Sequence, residues 1–404
     1  MLNGPFSPWP SFTEEEANAV RDVLLSNKVN YWTGEECRKF EQEFAAFADS
    51  EYAIALANGT VALDLALKAL GISDGDEVVV TPRTFLASVS SIVTAGAVPV
   101  FADVDPDSQN ITPESVRKFI TPHTRAIVCV HLAGWPCDMD GFMSLAEEFG
   151  LSVIEDCAQA HGARYKGRSV GSIGHVGCWS FCQDKIMTTG GEGGMVTTND
   201  KALWSKMWSY KDHGKSWDAV YRRDHEPGFR WLHESFGTNW RMTEMQGAIG
   251  RIQLQRMTEW FARRKANQNA IWETARELKG LRVPEFEGFC SGCECKLDVT
   301  TACEHAGYKC YVFVKPEELQ TGWDRDRIIA ELVERGVPCF SGSCSEVYLE
   351  KAFDGTGFRP EEPLPVAKEL GETSLMFLVH PTLKDEEIVK TCQVLGEVMA
   401  LAAG

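Results

Sequence analysis

The 404-residue sequence has no uninterrupted apolar run near the ~20 residues that span a bilayer, so no membrane insertion is expected. Its first residues, Met1-Leu2-Asn3-Gly4-Pro5, lack the basic-then-apolar pattern of an export signal. A cytoplasmic protein is therefore expected. Basic charge is in deficit: 40 Lys and Arg face 58 Asp and Glu, a net charge of −18. A chain that tracks a phosphate backbone needs a basic footprint, so nucleic acid is not an expected partner. No repeat with a period of 20 to 50 residues and no low-complexity tract is present. The apolar content, 44%, is too high and too evenly spread for a disordered chain. The 14 cysteines are expected to remain thiols in a reducing cytosol. Single cores stop growing at roughly 250–300 residues, so two structural units are expected.

What the sequence does contain is alternation. Thr13 and Glu16 form a capping box ahead of the amphipathic positions Ala17, Val20 and Leu24. Phe40, Phe44 and Phe47 recur at helical spacing and read as core packing. Short apolar runs at 53–56, 77–80, 98–102, 126–131, 152–155, 176–181 and 194–198 read as strands. Helical patterns separate most of them, as at 61–70, 86–95 and 140–149. Near-continuous apolar strands separated by helices predict a mostly parallel sheet covered on both faces. A long helical stretch is expected over 243–278. A strand over 311–314 and helices over 324–335 and 384–401 then predict a smaller C-terminal α/β domain. The expected division is a large domain with an N-terminal arm, 1–264, and a small domain, 265–404.

Four features fall at predicted strand ends, where ligands bind in open α/β sheets. Asn58-Gly59-Thr60 lies between a strand and a helix, a place that suits a phosphate but equally suits a plain N-cap. Phe85 could stack on a flat ring or fill a core. Asp156 could pair with a cationic ring nitrogen or cap the next segment. Lys185 precedes the cluster Gly190-Gly191-Glu192-Gly193-Gly194, and lysine amines form Schiff bases with carbonyls. A Walker loop needs its lysine after the glycines and then a helix; here the order is reversed and an apolar strand-like run follows. No strand-to-helix GxGxxG turn occurs, which disfavours a nicotinamide dehydrogenase. Phosphate cradle, ring stacker, Asp and Lys together make the inventory for pyridoxal 5′-phosphate (PLP).

The runs Gly75-Asp76-Glu77-Val78-Val79-Val80-Thr81-Pro82, Ala97-Val98-Pro99-Val100-Phe101-Ala102-Asp103-Val104, Glu155-Asp156-Cys157-Ala158-Gln159-Ala160-His161-Gly162 and Gly191-Glu192-Gly193-Gly194 resemble the DegT/StrS family of sugar aminotransferases. The similarity runs from about residue 10 to the C-terminus. It implies the aspartate aminotransferase fold, fold-type I of PLP enzymes. Lys185 matches the Schiff-base lysine, Asp156 the partner of the pyridine nitrogen and Gln159 the residue beside the ring's 3′-oxygen. Phe85 takes the stacking position. Gly59, Thr60 and Ser180 match the phosphate contacts. Asn239, in Gly237-Thr238-Asn239-Trp240-Arg241, matches an asparagine that reaches the neighbouring subunit's phosphate, which implies a homodimer with shared sites.

Family members with His at the lysine position act as dehydratases, so Lys185 implies amino transfer. The expected activity converts a nucleotide-linked keto sugar to an amino sugar with L-glutamate as donor. The rivals are a cyclitol or other non-nucleotide ketone as acceptor, and a non-catalytic regulatory protein that keeps the fold; a regulator has no need of a nucleophile. Trp217, Tyr221, Arg230 and Trp231 are candidates for the substrate side or for surface packing. The chain departs from the family in two places. The stretch from Lys185 to Glu192 is one residue longer than in many members. Cys290, Cys293, Cys295, Cys303, His305 and Cys310 form a cluster foreign to it, read as thiols in a loop with no metal site expected.

Overall fold

The computed structural model describes residues 5–228, 230–286 and 302–404. Its thirteen strands are β1 (Tyr52–Leu56), β2 (Glu77–Val80), β3 (Val98–Phe101), β4 (Thr124–Val130), β5 (Ser152–Asp156), β6 (Arg164–Tyr165), β7 (Arg168–Ser169), β8 (Val176–Ser180), β9 (Gly194–Thr198), β10 (Leu281–Arg282), β11 (Cys310–Val314), β12 (Cys339–Phe340) and β13 (Ser374–Phe377). Seven build the large sheet, in the order β1-β9-β8-β5-β4-β2-β3. The pairs β3–β2, β2–β4, β4–β5 and β5–β8 are parallel, and only β9 runs antiparallel to its neighbours. The expected α/β class with a mostly parallel sheet is thus the observed one.

Side-chain alternation assigns the two faces. Ile54, Leu56, Cys178 and Val196 enter one core, with the helices Gly59–Ala69, Ala87–Thr94 and Met139–Phe149. Ala53, Ala55, Trp179 and Met195 enter the other. There Phe40 and Phe44 of the helix Glu36–Phe47 pack on Trp179 and Phe181. The aromatic stripe is therefore core, as read. The Thr13 capping box is also present: the Thr13 N–H donates to Glu16 at 2.9 Å.

A four-stranded antiparallel sheet, β10-β11-β13-β12, forms the smaller C-terminal unit. Tyr311, Phe313 and Met376 join the core of the large sheet. Cys310, Val312, Val314, Leu375 and Phe377 pack in a third core with the helices Met257–Arg276, Arg325–Glu334 and Asp385–Ala402. A division of the chain at 264/265 would fall inside the helix Met257–Arg276.

One local expectation changes and one helix is added. The single helix expected over 243–278 is two helices, Glu244–Gln255 and Met257–Arg276, which meet at Arg256. The Arg256 guanidinium reaches Glu15 and Glu16 of the first helix at 2.6 and 2.7 Å. A helix over Pro365–Thr373 was not signalled; it opens on a proline in its first turn, where no helical N–H is lost. Among the described residues, no helix is long and apolar enough to cross a membrane.

Candidate active site

The site is organised by strand register. Leu56 pairs with Gly194, and Gly194 pairs with Ser180, so the exits of β1 and β8 flank the first residue of β9. Because β9 is antiparallel, its start lies at the carboxyl edge of the sheet. The helix Gly59–Ala69 begins there. Asn58 caps it, accepting the Val61 N–H at 3.0 Å, while the first-turn N–H groups of Gly59 and Thr60 have no helical acceptor. The fit is tight. A Cβ on Gly59 would stand 2.5 Å from the Ser180 Cβ and 2.9 Å from its Oγ. One on Gly194 would stand 2.2 Å from the Asn58 carbonyl oxygen. The fold thus brings Gly59, Thr60 and Ser180 together at a helix N-terminus, an arrangement that suits a phosphate.

Asp156 ends β5, beside β8. It is buried, and its Oδ2 accepts the Ser88 hydroxyl at 2.8 Å while Oδ1 accepts the Ala158 N–H at 3.1 Å. Ser88 in turn lies 2.8 Å from the Thr84 hydroxyl. This Thr84–Ser88–Asp156 chain escaped the sequence reading. Its only signal is the four-residue spacing of two hydroxyls next to Phe85. Phe85 itself is 69% exposed, which excludes the core alternative within this chain. The buried Gln159 accepts the Ala133 N–H at 2.9 Å, and Ala133 is held at φ 58°.

Below Asp156 lies the grouping His131, Glu155 and Cys157, whose ligand-type atoms fall within 4.8 Å of one another. Hydrogen bonds already occupy it. Glu155 accepts from Gly171, Ile173 and Gly174 N–H groups at 2.8, 2.9 and 2.6 Å and lies 3.0 Å from His131 Nε2. His131 Nδ1 accepts the Cys137 N–H at 2.9 Å. Burial alone would raise the Glu155 carboxyl; His131 and the Gly171 and Gly174 N–H groups outweigh it and hold it below the ordinary range. The grouping is a hydrogen-bonded hub that fixes the β5 exit.

Lys185 sits in a turn after β8, its N–H on the Cys182 carbonyl at 3.1 Å and its own carbonyl accepting the Trp9 indole N–H at 2.9 Å. Its Nζ stands 5.3 Å from the centre of the Tyr308 ring. The Tyr308 hydroxyl donates to Asp184 at 2.6 Å. The Asp184 carboxyl is held below its ordinary range: burial pushes it up, but the Lys185 charge, the Tyr308 hydrogen bond and Lys309 prevail. The following loop uses left-handed backbone at Gly190 (φ 86°) and Gly191 (φ 115°) to return the chain to β9. Trp9 and Tyr308 come from segments far apart in the chain, and no local pattern marked them.

Asn239 is exposed, and its side chain makes no hydrogen bond to another described residue. Its main chain bridges to Asp212, and the next residues are tied to the β1 exit by the Ala57 N–H to Trp240 carbonyl bond (2.9 Å) and the Leu56–Arg241 bridge. Trp217 and Tyr221 pack with each other and with Trp204 and Trp208, whereas Arg230 and Trp231 are exposed. Of the cysteine cluster, Cys290, Cys293 and Cys295 lie outside the described residues. Cys303, His305 and Cys310 are buried, with His305 set among the rings of Trp135, Trp272 and Phe286.

A half-buried lysine in a turn, an acid at a strand end and a glycine-serine cradle thus lie on one edge of a doubly covered, mostly parallel sheet, an arrangement that suits a transferase site. Residues 10–395 match the model of the DegT/DnrJ/EryC1/StrS aminotransferase family, and the chain belongs to that family. It is an aminotransferase. The chain is similar to GDP-perosamine synthase of Escherichia coli O157:H7, 35% identical over 392 residues covering 96% of each chain. It is also similar to the crystal structure of an aminotransferase from Psychrobacter cryohalolentis, with 65% identity, a TM-score of 0.93 and coverage of 98% of this chain and 99% of that one. A third similar structure is the PMP form of a putative sugar aminotransferase, Spr1654, from Streptococcus pneumoniae, with 25% identity, a TM-score of 0.82 and coverage of 99% and 98%.

Proposed function

We propose that the protein is a PLP-dependent aminotransferase that converts a nucleotide-linked keto sugar to an amino sugar, with L-glutamate as donor. The observation that carries the reading is the convergence of Gly59, Ser180, Asp156 and Lys185 at one sheet edge in a chain of the aminotransferase family. The names of its relatives, a GDP-perosamine synthase and a putative sugar aminotransferase in PMP form, support the nucleotide-sugar substrate and the cofactor.

The residues present fit PLP. The Gly59 and Thr60 N–H groups and the Ser180 hydroxyl would hold its phosphate at the helix N-terminus. Phe85 would stack on the ring and Gln159 would contact the ring's 3′-oxygen. Asp156, oriented by Ser88, would keep a proton at the pyridine nitrogen. Bound PLP supplies the electron sink for amino transfer. Lys185 would anchor the cofactor and, once its amine is free, would take up and give back the donor's α-proton. Asn239 reaches the phosphate of a partner subunit, so the working unit is a homodimer with shared sites. Residues 1–264 form the cofactor-binding domain with its arm and 265–404 the small domain, in a cytoplasmic enzyme.

The test is to purify the protein with PLP and screen nucleotide-linked keto sugars with L-glutamate, following 2-oxoglutarate release. Glutamate-dependent loss of the visible absorbance together with 2-oxoglutarate release is expected. A protein that binds no PLP and releases no 2-oxoglutarate with any keto sugar overturns the reading.

A further inference from the structure

The N-terminal arm carries one side chain to the Lys185 turn. The Trp9 indole N–H donates to the Lys185 carbonyl at 2.9 Å, across 176 positions of sequence. Among the described residues, no main-chain N–H is bonded to that carbonyl. Lys185 donates its own N–H to Cys182, three residues earlier. The turn is therefore closed locally at the lysine N–H and held at the lysine carbonyl by a residue from outside the large sheet.

The arm is fixed before it reaches the lysine. Phe6 packs against the third core. The Ser7 N–H donates to Glu387 Oε1 at 2.5 Å, and the Pro8 carbonyl accepts the Thr382 hydroxyl at 2.7 Å. The Trp9 ring stacks on His380, with 22° between the planes and 6.0 Å between the centres, and meets Trp260 edge-to-face at 5.1 Å. The buried Arg264 places its guanidinium carbon 5.0 Å from the Trp9 ring centre. An indole turns about only two side-chain bonds, and one boxed by these groups presents its N–H in a set direction.

A lysine carries its amine on a flexible four-carbon stem, so the reach of the amine is set by where the main chain is fixed. Tyr308 borders the amine, its ring centre 5.3 Å from Nζ and its hydroxyl tied to Asp184. Trp9 is the one distant residue, among those described, that bonds to the Lys185 main chain. A reacting group must be held to within about 0.5 Å of its working position, which takes support of this kind.

We infer that Trp9 is a positioning residue for Lys185: its indole N–H fixes the lysine main chain, and through it the arc in which the amine moves. The role of that amine as proton carrier rests on the proposed function; the hold of Trp9 on the turn does not. Because Phe6, Ser7 and Pro8 are seated on the C-terminal unit, the lysine of the large sheet takes its position in part from that unit.

The test separates the donor from the ring. Trp9→Phe removes the indole N–H and part of the packing. A second variant carries β-(3-benzothienyl)alanine at position 9; sulfur replaces the N–H in a ring of the same shape, so only the donor is lost. Hydrogen exchange of the intact protein as purified reads the turn. In both variants the amides of residues 182–189 are expected to exchange about threefold to tenfold faster, the worth of one neutral hydrogen bond, while those of β4 stay as in the wild type. Steady-state kinetics read the amine. The kcat for 2-oxoglutarate release is expected to fall by about the same factor, with the KM values for both substrates little changed. L-Glutamate carrying deuterium at its α-carbon should show a larger isotope effect in the variants, because proton transfer slows relative to the other steps. A benzothienyl variant with wild-type exchange and wild-type kcat overturns the inference, since the packing of the ring is then enough. Where the wild type transfers amino groups, faster exchange without the fall in kcat, or the fall without faster exchange, overturns it as well. Faster exchange at the turn in a protein that transfers no amino group sinks the proposed function and leaves the hold of Trp9 on Lys185.

Discussion

The Ser88 hydroxyl donates to Asp156 Oδ2 at 2.8 Å, so the acid at the end of β5 is aimed by a residue from the helix Ala87–Thr94 that follows β2. Ser88→Ala removes one hydrogen bond to a charged acceptor, worth about 1.5–3 kcal/mol. Turnover is expected to fall roughly tenfold with the KM values for both substrates little changed. A large rise in keto-sugar KM at constant kcat would contradict a role through Asp156.

Lys185→Ala is expected to leave the fold intact and reduce amino transfer to background. The Lys185 turn is held by main-chain bonds to Cys182 and Trp9, which the substitution leaves in place. The check pairs circular dichroism with 2-oxoglutarate release. Turnover at the wild-type rate would remove Lys185 from its role.

Gly194→Ala would set a methyl 2.2 Å from the Asn58 carbonyl oxygen, a backbone atom that must give way. The loop that starts the helix Gly59–Ala69 must then shift away from Ser180. PLP affinity, measured by fluorescence titration, is expected to fall at least about tenfold, by the loss of one phosphate hydrogen bond or more. An unchanged affinity would show that phosphate is held elsewhere.

Asn239 exposes its side chain next to a segment tied to the β1 exit. Asn239→Ala should weaken PLP binding by roughly one to two powers of ten, as expected for one bond to a charged phosphate. If the phosphate belongs to a partner subunit, PLP must also strengthen the dimer, because coupling is reciprocal. Sedimentation of dilute protein with and without PLP reads this; a monomer with full PLP affinity and activity at every concentration refutes the shared site.

His305 is pushed down to about 3 by burial, in a pocket of aromatic rings. The unfolded chain takes up its proton below about pH 6.5, while the folded chain does not until about 3. The stability it contributes is therefore present above pH 6.5 and is lost as pH falls through that window. Between pH 6 and 4 the wild type should lose about 1.4 kcal/mol per pH unit more than His305→Gln, which has no proton to gain. Urea unfolding of both at pH 7, 6, 5 and 4 measures the difference; parallel curves would place a charged imidazole in the folded core.

Much of the architecture was legible in the sequence because its causes are local. Apolar runs of strand length separated by helical periodicity predicted the large sheet, and the Thr13 box and the Phe40–Phe44 stripe read correctly, since each depends only on neighbours along the chain. Gly59, Asp156 and Lys185 could be picked out because strand-end positions follow from strand boundaries. Tertiary structure decided the rest. The antiparallel direction of β9 sets Gly194 between Leu56 and Ser180, and pairing direction is a property of the sheet. The break falls at Arg256, whose guanidinium pairs with Glu15 and Glu16, more than two hundred residues away in sequence. Ser88 on Asp156 and Trp9 on the Lys185 carbonyl belong to the same class: each arises where distant segments meet, and a hydrogen bond there has no signature along the chain.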